Sequence, residues 1–267
     1  MSLIDEMLAA ATAAAELIQA VYARGTDATL KADRSPVTEA DTQAEAIILA
    51  RLEPTGIPVL AEESVAAGRI PDLGQRFFVV DPLDGTREFL KRNGEFTVNI
   101  ALCEEGRPRL GVILAPATGM TYWAGPDGAF GGIMEHGAIR GHHRIETAAD
   151  GPVRIVASRS HGHPAIAVLC ERMDVVADLS VGSSLKFGLL ATGAAQLYPR
   201  FGPTSEWDTA AGQAVVEAAG GVVVDLEGKP LTCGHRDRGF LNGPFVAAAN
   251  RALADVALEH IKSLNGP

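Results

Sequence analysis

Four apolar residues in a row, Phe77-Phe78-Val79-Val80, run straight into Asp81-Pro82-Leu83-Asp84-Gly85-Thr86. A short apolar run bounded by turn residues reads as a buried strand, and a buried strand fits only a layered architecture. The same strand delivers Asp81 at its C-terminal end, where α/β sheets commonly place ligands. Asp84 follows three residues later, so the two carboxylates can converge on one ligand. Pro82 stiffens the turn, and Gly85 lets the backbone approach a ligand closely. Taken alone, the stretch is also ordinary turn chemistry, with Asp84 as a cap.

The rest of the chain supplies elements to cover that strand. Leu3, Ile4, Met7, Leu8, Leu17, Ile18 and Val21 recur at helical spacing and stop at Gly25. A polar stretch follows from Thr26 to Ser35. Thr38 with Asp41 three residues on makes a capping box, predicting a helix to about Leu52, ended by Pro54 and Gly56. Val59 to Ala61 is a short strand leading into Glu62-Glu63. Phe96 to Leu102, Leu110 to Ala115 and Met120 to Trp123 predict an antiparallel ribbon. Gly125 to Asp150 is rich in Gly and His and poor in periodicity, and a subdomain boundary is placed near its end.

Beyond it, strands alternate with helices. The strands are Val153 to Ala157, Ala195 to Tyr198, Val222 to Asp225 and Phe245 to Ala248. The helices are Pro164 to Arg172, Leu185 to Thr192, Trp207 to Ala219 and Arg251 to Lys262. This alternation predicts a layered α/β fold.

Composition narrows the function. A 267-residue chain with 47% hydrophobic and 21% charged residues is ordinary for a globular protein. Its net charge of -10 disfavours duplex nucleic acid as a partner, although bound cations can reverse a local field. Cys103, Cys170 and Cys233 form no CxxC pair, which argues against a disulfide framework or a zinc site and predicts a reducing, cytoplasmic setting. No signal peptide and no apolar run near the roughly 20 residues of a membrane span is expected.

Glu62-Glu63 and Asp208, beside Trp207 at a helix start, are further acids at the ends of elements. Separately each reads as a solvated acid or an N-cap; together they could form a hard-cation site of the kind Mg²⁺ prefers. His136, His142, His143, His161 and His163 match no zinc spacing and read as surface residues. Trp123 and Trp207 read as packing residues. Arg87, Lys91 and Arg92 form a local basic cluster that could steer anions or be ordinary polar surface, the second being the preferred reading.

Glu62-Glu63, Asp81 to Thr86 and Trp207-Asp208-Thr209-Ala210-Ala211-Gly212, in this order, resemble the inositol monophosphatase superfamily of lithium-sensitive, Mg²⁺-dependent phosphatases. The flanks are most similar to its bacterial 3'(2'),5'-bisphosphate nucleotidases of the CysQ type. These flanks are Arg87 through Asn99, Gly182-Ser183-Ser184-Leu185-Lys186-Phe187, Tyr198-Pro199-Arg200-Phe201-Gly202-Pro203, and Lys31 with Ser35-Pro36-Val37-Thr38 and Asp41. Ala61 departs from the Ser that such nucleotidases often carry. The resemblance implies an αβαβα sandwich in two subdomains. Residues 1–145 would carry most metal ligands, and residues 146–267 the substrate contacts and the last ligand.

It also implies roles. Glu62, Asp81 and the Leu83 carbonyl would hold one Mg²⁺, and Asp81, Asp84 and Asp208 a second, of two or three in all. Thr86, oriented by Asp41, and Glu62 would position the attacking water, with no phosphoenzyme. Leu83, Asp84, Gly85, Thr86 and Asp208 would meet the reacting phosphate. Ser183, Ser184, Lys186 and Arg200 would meet the rest of the substrate. The implied reaction takes adenosine 3',5'-bisphosphate, or its sulfated form, to AMP or adenosine 5'-phosphosulfate plus phosphate, in sulfur metabolism. Alternatives are inositol monophosphatase or fructose-1,6-bisphosphatase activity and, more remotely, a non-catalytic metal- or nucleotide-binding protein. Monomer or homodimer, and a peripheral place at the inner membrane, are left open.

Overall fold

The computed structural model describes residues 2–31, 34–158 and 163–264. Helix α1 (Leu3–Arg24) opens on a capping box between Ser2 and Asp5 and ends where the Gly25 N–H bonds the Val21 carbonyl. A two-stranded hairpin, β1 (Ala28–Leu30) and β2 (Pro36–Thr38), leads into α2 (Glu39–Leu52). The capping box expected at Thr38 and Asp41 is present.

A seven-stranded sheet follows, its strands neighbours in chain order. They are β3 (Val59–Ala61), β4 (Arg76–Asp84), β5 (Thr97–Glu104), β6 (Arg107–Leu114), β7 (Met120–Gly125), β8 (Gly128–Glu135) and β9 (Ala138–Arg144). Only the first pair is parallel among these; the rest is a meander. Short helices α3 (Glu62–Ala66) and α4 (Thr86–Leu90) sit at the C-terminal ends of β3 and β4.

The segment Gly125 to Asp150 is therefore not irregular: it holds the β8–β9 hairpin. The expected polar stretch from Thr26 to Ser35 likewise contains β1, which pairs with β2 just beyond it.

The second half contributes β10 (Arg154–Ser158), α5 (Pro164–Arg172), β11 (Ala177–Val181), α6 (Leu185–Ala191), β12 (Leu197–Arg200), β13 (Thr204–Ser205), α7 (Glu206–Ala218), β14 (Val222–Asp225), β15 (Leu241–Asn242), β16 (Phe245–Ala248) and α8 (Arg251–Leu264). Its mixed sheet runs β11-β10-β12-β16-β14, with β13 and β15 paired apart.

Strand alternation explains the layers. Phe78 and Val80 point to one face of the large sheet with Ile100, Leu102, Val112 and Leu114, and pack against Met7, Ile18, Ala44 and Ile48 of α1 and α2. Phe77 and Val79 point the other way and pack against Phe187 of α6 and Ala211 and Val215 of α7, with Phe245 and Ala247 of the second sheet beneath. The outer face of the second sheet, through Ile155, Leu197 and Val246, packs against Leu169 of α5 and Ala257 and Leu258 of α8. The order is two helices, sheet, two helices, sheet, two helices: an αβαβα sandwich.

Candidate active site

Parallel pairing fixes the first two acids. Ala61 of β3 lies opposite Val80 of β4, so the next residues, Glu62 and Asp81, leave neighbouring strands at the same end. A second device brings in Asp84. Residues three apart on a regular strand point to opposite faces. Here the ladder slips: Asp81 faces Asn99 and Asp84 faces Thr97, three steps on β4 against two on β5. The extra residue is a bulge, and it turns Asp84 back towards Asp81. The strand thus continues through the motif rather than ending at Asp81. The Leu83 N–H donates to Asp81 Oδ1 at 2.9 Å and holds that carboxylate across the bulge.

Gly85 then adopts φ 97°, ψ 40°, a left-handed conformation that favours glycine, and a Cβ there would meet the Glu95 carbonyl oxygen at 3.0 Å. Thr86 Oγ1 donates to Asp41 Oδ1 at 2.9 Å, while Asp41 Oδ2 accepts from the Thr38 N–H and hydroxyl at 2.8 and 2.7 Å. The same Asp41 caps α2 and orients Thr86.

Asp208 comes from the other half, in the first turn of α7. Oxygens of Asp81, Asp84 and Asp208 lie within 4.8 Å of one another. The Ser184 hydroxyl accepts from the Asn99 amide at 2.9 Å and lies 2.8 Å from both Asp84 Oδ2 and the Asp208 carbonyl oxygen. Its single proton serves one of them at a time. Glu62 is outside the close three-acid group, although it borders Asp81; its Oε1 accepts from Lys31 Nζ at 2.6 Å, as does Glu63 Oε1.

Crowding shows in the protonation of these groups. Burial first, then Glu62, Asp84 and Asp208, push the Asp81 carboxyl well above the carboxylate range. Burial followed by Asp84 and Glu62 does the same to Asp208. Asp84 is raised by burial against the pull of Lys186, and Glu62 by burial against that of Lys31. Burial lifts Glu63 to about 7. Like charges this close disfavour ionisation unless a cation joins them. The Asn99 Oδ1 and Thr97 Oγ1 atoms, directly across from the two aspartates, are buried without a hydrogen-bond partner. An all-oxygen donor set with surplus negative charge fits a hard divalent cation.

A pocket opens beside the acids, lined by Asp84, Gly85, Ser183, Ser184, Lys186, Arg200 and Asp208 together with Arg87, Glu88, Tyr198 and Thr204. It gathers residues from three of the flanking motifs singled out above, those at Arg87, Gly182 and Tyr198, but none from the Lys31 to Asp41 stretch. Lys186 Nζ donates to the Val181 and Ser183 carbonyls, and Arg200 Nε to Thr204 Oγ1 at 2.9 Å. Burial draws the Lys186 ammonium down to about 8, with Asp84 opposing.

Arg87 is exposed and also lines this pocket, which favours the anion-steering reading for that residue. Arg92 instead reaches the Tyr22 carbonyl at 2.7 Å and stands over the Tyr22 ring. Among the described residues no histidine joins the acids. His136, His142 and His143 are exposed, His163 caps α5, and His161 lies outside the described residues. Trp123 stacks on Phe130 and Trp207 packs near Phe240, both as packing residues.

Sequence reasoning missed Asn99, Glu45 and the pairing of Lys31 with both glutamates. Asn99 and Lys31 stood in quoted motifs with no role; Glu45 left no signal.

The family model described as the inositol monophosphatase family matches residues 2–265. The chain belongs to the inositol monophosphatase family. The 3'(2'),5'-bisphosphate nucleotidase CysQ of Escherichia coli K12 is 44% identical over 247 residues, covering 91% of this chain and 98% of that protein. Its counterpart in Haemophilus influenzae is 31% identical, covering 94% of each. The crystal structure of CysQ from Bacteroides thetaiotaomicron, a bacterial member of the same family, superposes with a TM-score of 0.76 at 39% identity, covering 91% of this chain and 96% of that one. An inositol monophosphatase from Zymomonas mobilis superposes at 0.74 with 28% identity, covering 98% and 100%. Proteins so named are phosphatases, hydrolases of phosphoric monoesters.

Proposed function

We propose that this protein is a Mg²⁺-dependent 3'(2'),5'-bisphosphate nucleotidase, removing the 3'-phosphate of adenosine 3',5'-bisphosphate and, as a second substrate, of its sulfated form. One observation carries the reading. Acids able to hold cations and the basic residues Lys186, Arg200 and Arg87 face the same pocket. A bisphosphate needs both, one phosphate at the reacting end and one away from it. The identity to CysQ proteins supports the same substrate class.

Asp81, Asp84 and Asp208 would hold one cation, and Glu62, Asp81 and the Leu83 carbonyl another. Bound there, divalent cations supply charge against the phosphoryl oxygens and make water acidic enough to attack at neutral pH. The Thr86 hydroxyl donates its hydrogen bond to Asp41, so its oxygen lone pairs are left to accept a hydrogen from the incoming water. Glu62 holds the other side of that water and receives its proton. Backbone N–H groups of Gly85 and Thr86 steady the phosphoryl oxygens. Lys186, Arg200 and Ser183 bind the distal phosphate or ribose.

Subdomains 1–145 and 146–267 would meet at this pocket. Among the described residues, no helix is long and apolar enough to cross a membrane, and Cys103, Cys170 and Cys233 are unbridged, which supports a reducing cytoplasm. Lithium inhibition and a role in sulfur metabolism belong to the same reading.

The test is phosphate release from adenosine 3',5'-bisphosphate, inositol 1-phosphate and fructose 1,6-bisphosphate with Mg²⁺. A kcat/KM preference of about 100-fold for the nucleotide, about 2.7 kcal/mol, is the expected outcome. Asp84→Asn should remove turnover while the protein still melts cooperatively. Better rates on inositol phosphate would keep the metal chemistry and overturn the substrate.

A further inference from the structure

Two buried acids stand one turn apart on the same face of α2. Asp41 reaches Thr86, as described. Glu45, four residues on and 3% exposed, reaches the other acidic motif. Its Oε2 accepts the Glu63 N–H at 2.8 Å, and its Oε1 accepts the Ser64 hydroxyl at 2.7 Å. Helix α3 begins at Glu62, and Ala61 before it provides no side-chain cap. Glu45 therefore supplies, from another helix, the acceptor that the first turn of α3 lacks.

The consequence falls on Glu62. On its N-terminal side the chain is pinned by the pairing of Ala61 with Val80. On its C-terminal side it is pinned by Glu45. Without that clamp the backbone is anchored on only one side of Glu62, and its carboxylate, which Lys31 still grips, loses its fixed register with Asp81.

We infer that Glu45 is a positioning residue of the metal centre. It holds Glu62 in register with Asp81, so that α2 sets the spacing between the Glu62 and Asp84–Thr86 segments through two side chains. The inference rests on the metal-dependent reading above.

The test uses the full-length protein as Glu45→Gln, Glu45→Asp and Ser64→Ala. Mn²⁺ binding is followed by calorimetry without substrate, and phosphate release is followed against Mg²⁺ concentration. Gln keeps the shape but cannot accept from both donors; Asp keeps the charge but is one methylene short. Both should raise the half-saturating metal concentration about tenfold or more. At saturating Mg²⁺, kcat should stay within about twofold of the parent. Ser64→Ala should move the same way by less.

Unchanged Mn²⁺ affinity in Glu45→Gln and Ser64→Ala would overturn the inference, as would full restoration by Asp, which would reduce the effect to charge. If the Glu45 variants fail to melt cooperatively, Ser64→Ala decides alone. A parent protein that binds no Mn²⁺ would instead overturn the metal-dependent reading.

Discussion

Lys186 is only 5% exposed and leans on two carbonyls, so its charge is costly and its pKa sits near 8. Burial lowers it; Asp84 keeps it from falling further. The folded value lies below the unfolded 10.5, so the ammonium disfavours folding most at low pH and gives up its proton as pH rises through about 8. On the proposed reading, kcat/KM for the bisphosphate should decline above about pH 8 more steeply than for a monoester, and paired pH profiles measure this. Lys186→Met should raise KM for the bisphosphate roughly 10- to 100-fold, about 1.5–3 kcal/mol for a charged hydrogen bond, with little change for monoesters. Such residues divide sharply in legibility. Asp81 and Asp84 announced themselves because a strand ran into them. Glu45 and Asn99 did not, because a buried polar side chain among apolar neighbours leaves no periodic trace; only its partners, 18 and 85 residues away, give it meaning.

Among the elements, α7 does two jobs. It brings Asp208 to the acids and lays Ala211 and Val215 on the large sheet. Gly212, one turn after Asp208, sits against the Phe187 ring of α6 so closely that an added Cβ would lie 2.2 Å from it. Gly212→Ala should cost about 1–3 kcal/mol by overpacking, lowering Tm by several degrees in a scanning melt. It should also weaken metal binding, because a shift of α7 displaces Asp208, one turn before the contact. The elements the sequence concealed share a position. Strand β9 ends the large sheet, β11 ends the second, and β1 and β2 pair only with each other. Edge strands carry polar and charged residues, so the alternation that reveals a strand is weak there. Strand β8 was hidden differently. At Gly132 a Cβ would stand 2.9 Å from the Arg140 carbonyl oxygen, so close approach of the hairpin partner imposes a residue that breaks the pattern. Strands β4 to β7 and helices α6, α7 and α8 were legible within a few residues because burial on a packed face dictates their spacing, and the edge strands β3 and β14 were legible because short apolar runs mark them.

At the scale of the molecule, a surplus of buried negative charge sits between two halves. The folded carboxyl pKa values lie above their unfolded values, so these groups favour the fold below about pH 4 and lose that contribution as pH rises. For Glu63 the loss runs from 4.5 to about 7. The metal-free protein should therefore melt lower at pH 8 than at pH 5.5. Millimolar Mg²⁺ should raise Tm at pH 8 and much less at pH 5.5, since cation binding must displace protons. A melt with EDTA against one with Mg²⁺ at both values checks this; equal shifts would contradict it.

The central helical layer has a further consequence, in time rather than in space. The inner face of the large sheet, with Phe77, Val79 and Ile113, is finished early as the chain leaves the ribosome, yet its cover is α6 and α7, which begin only at Leu185 and Glu206, well after that sheet's last strand has ended at Arg144. Asp208 arrives on that same cover. Hydrophobic closure and the crowding of the aspartates are thus one late event: the nascent first half keeps an open greasy face, and it meets the full repulsion of its acids only when the helix that seals it has been made.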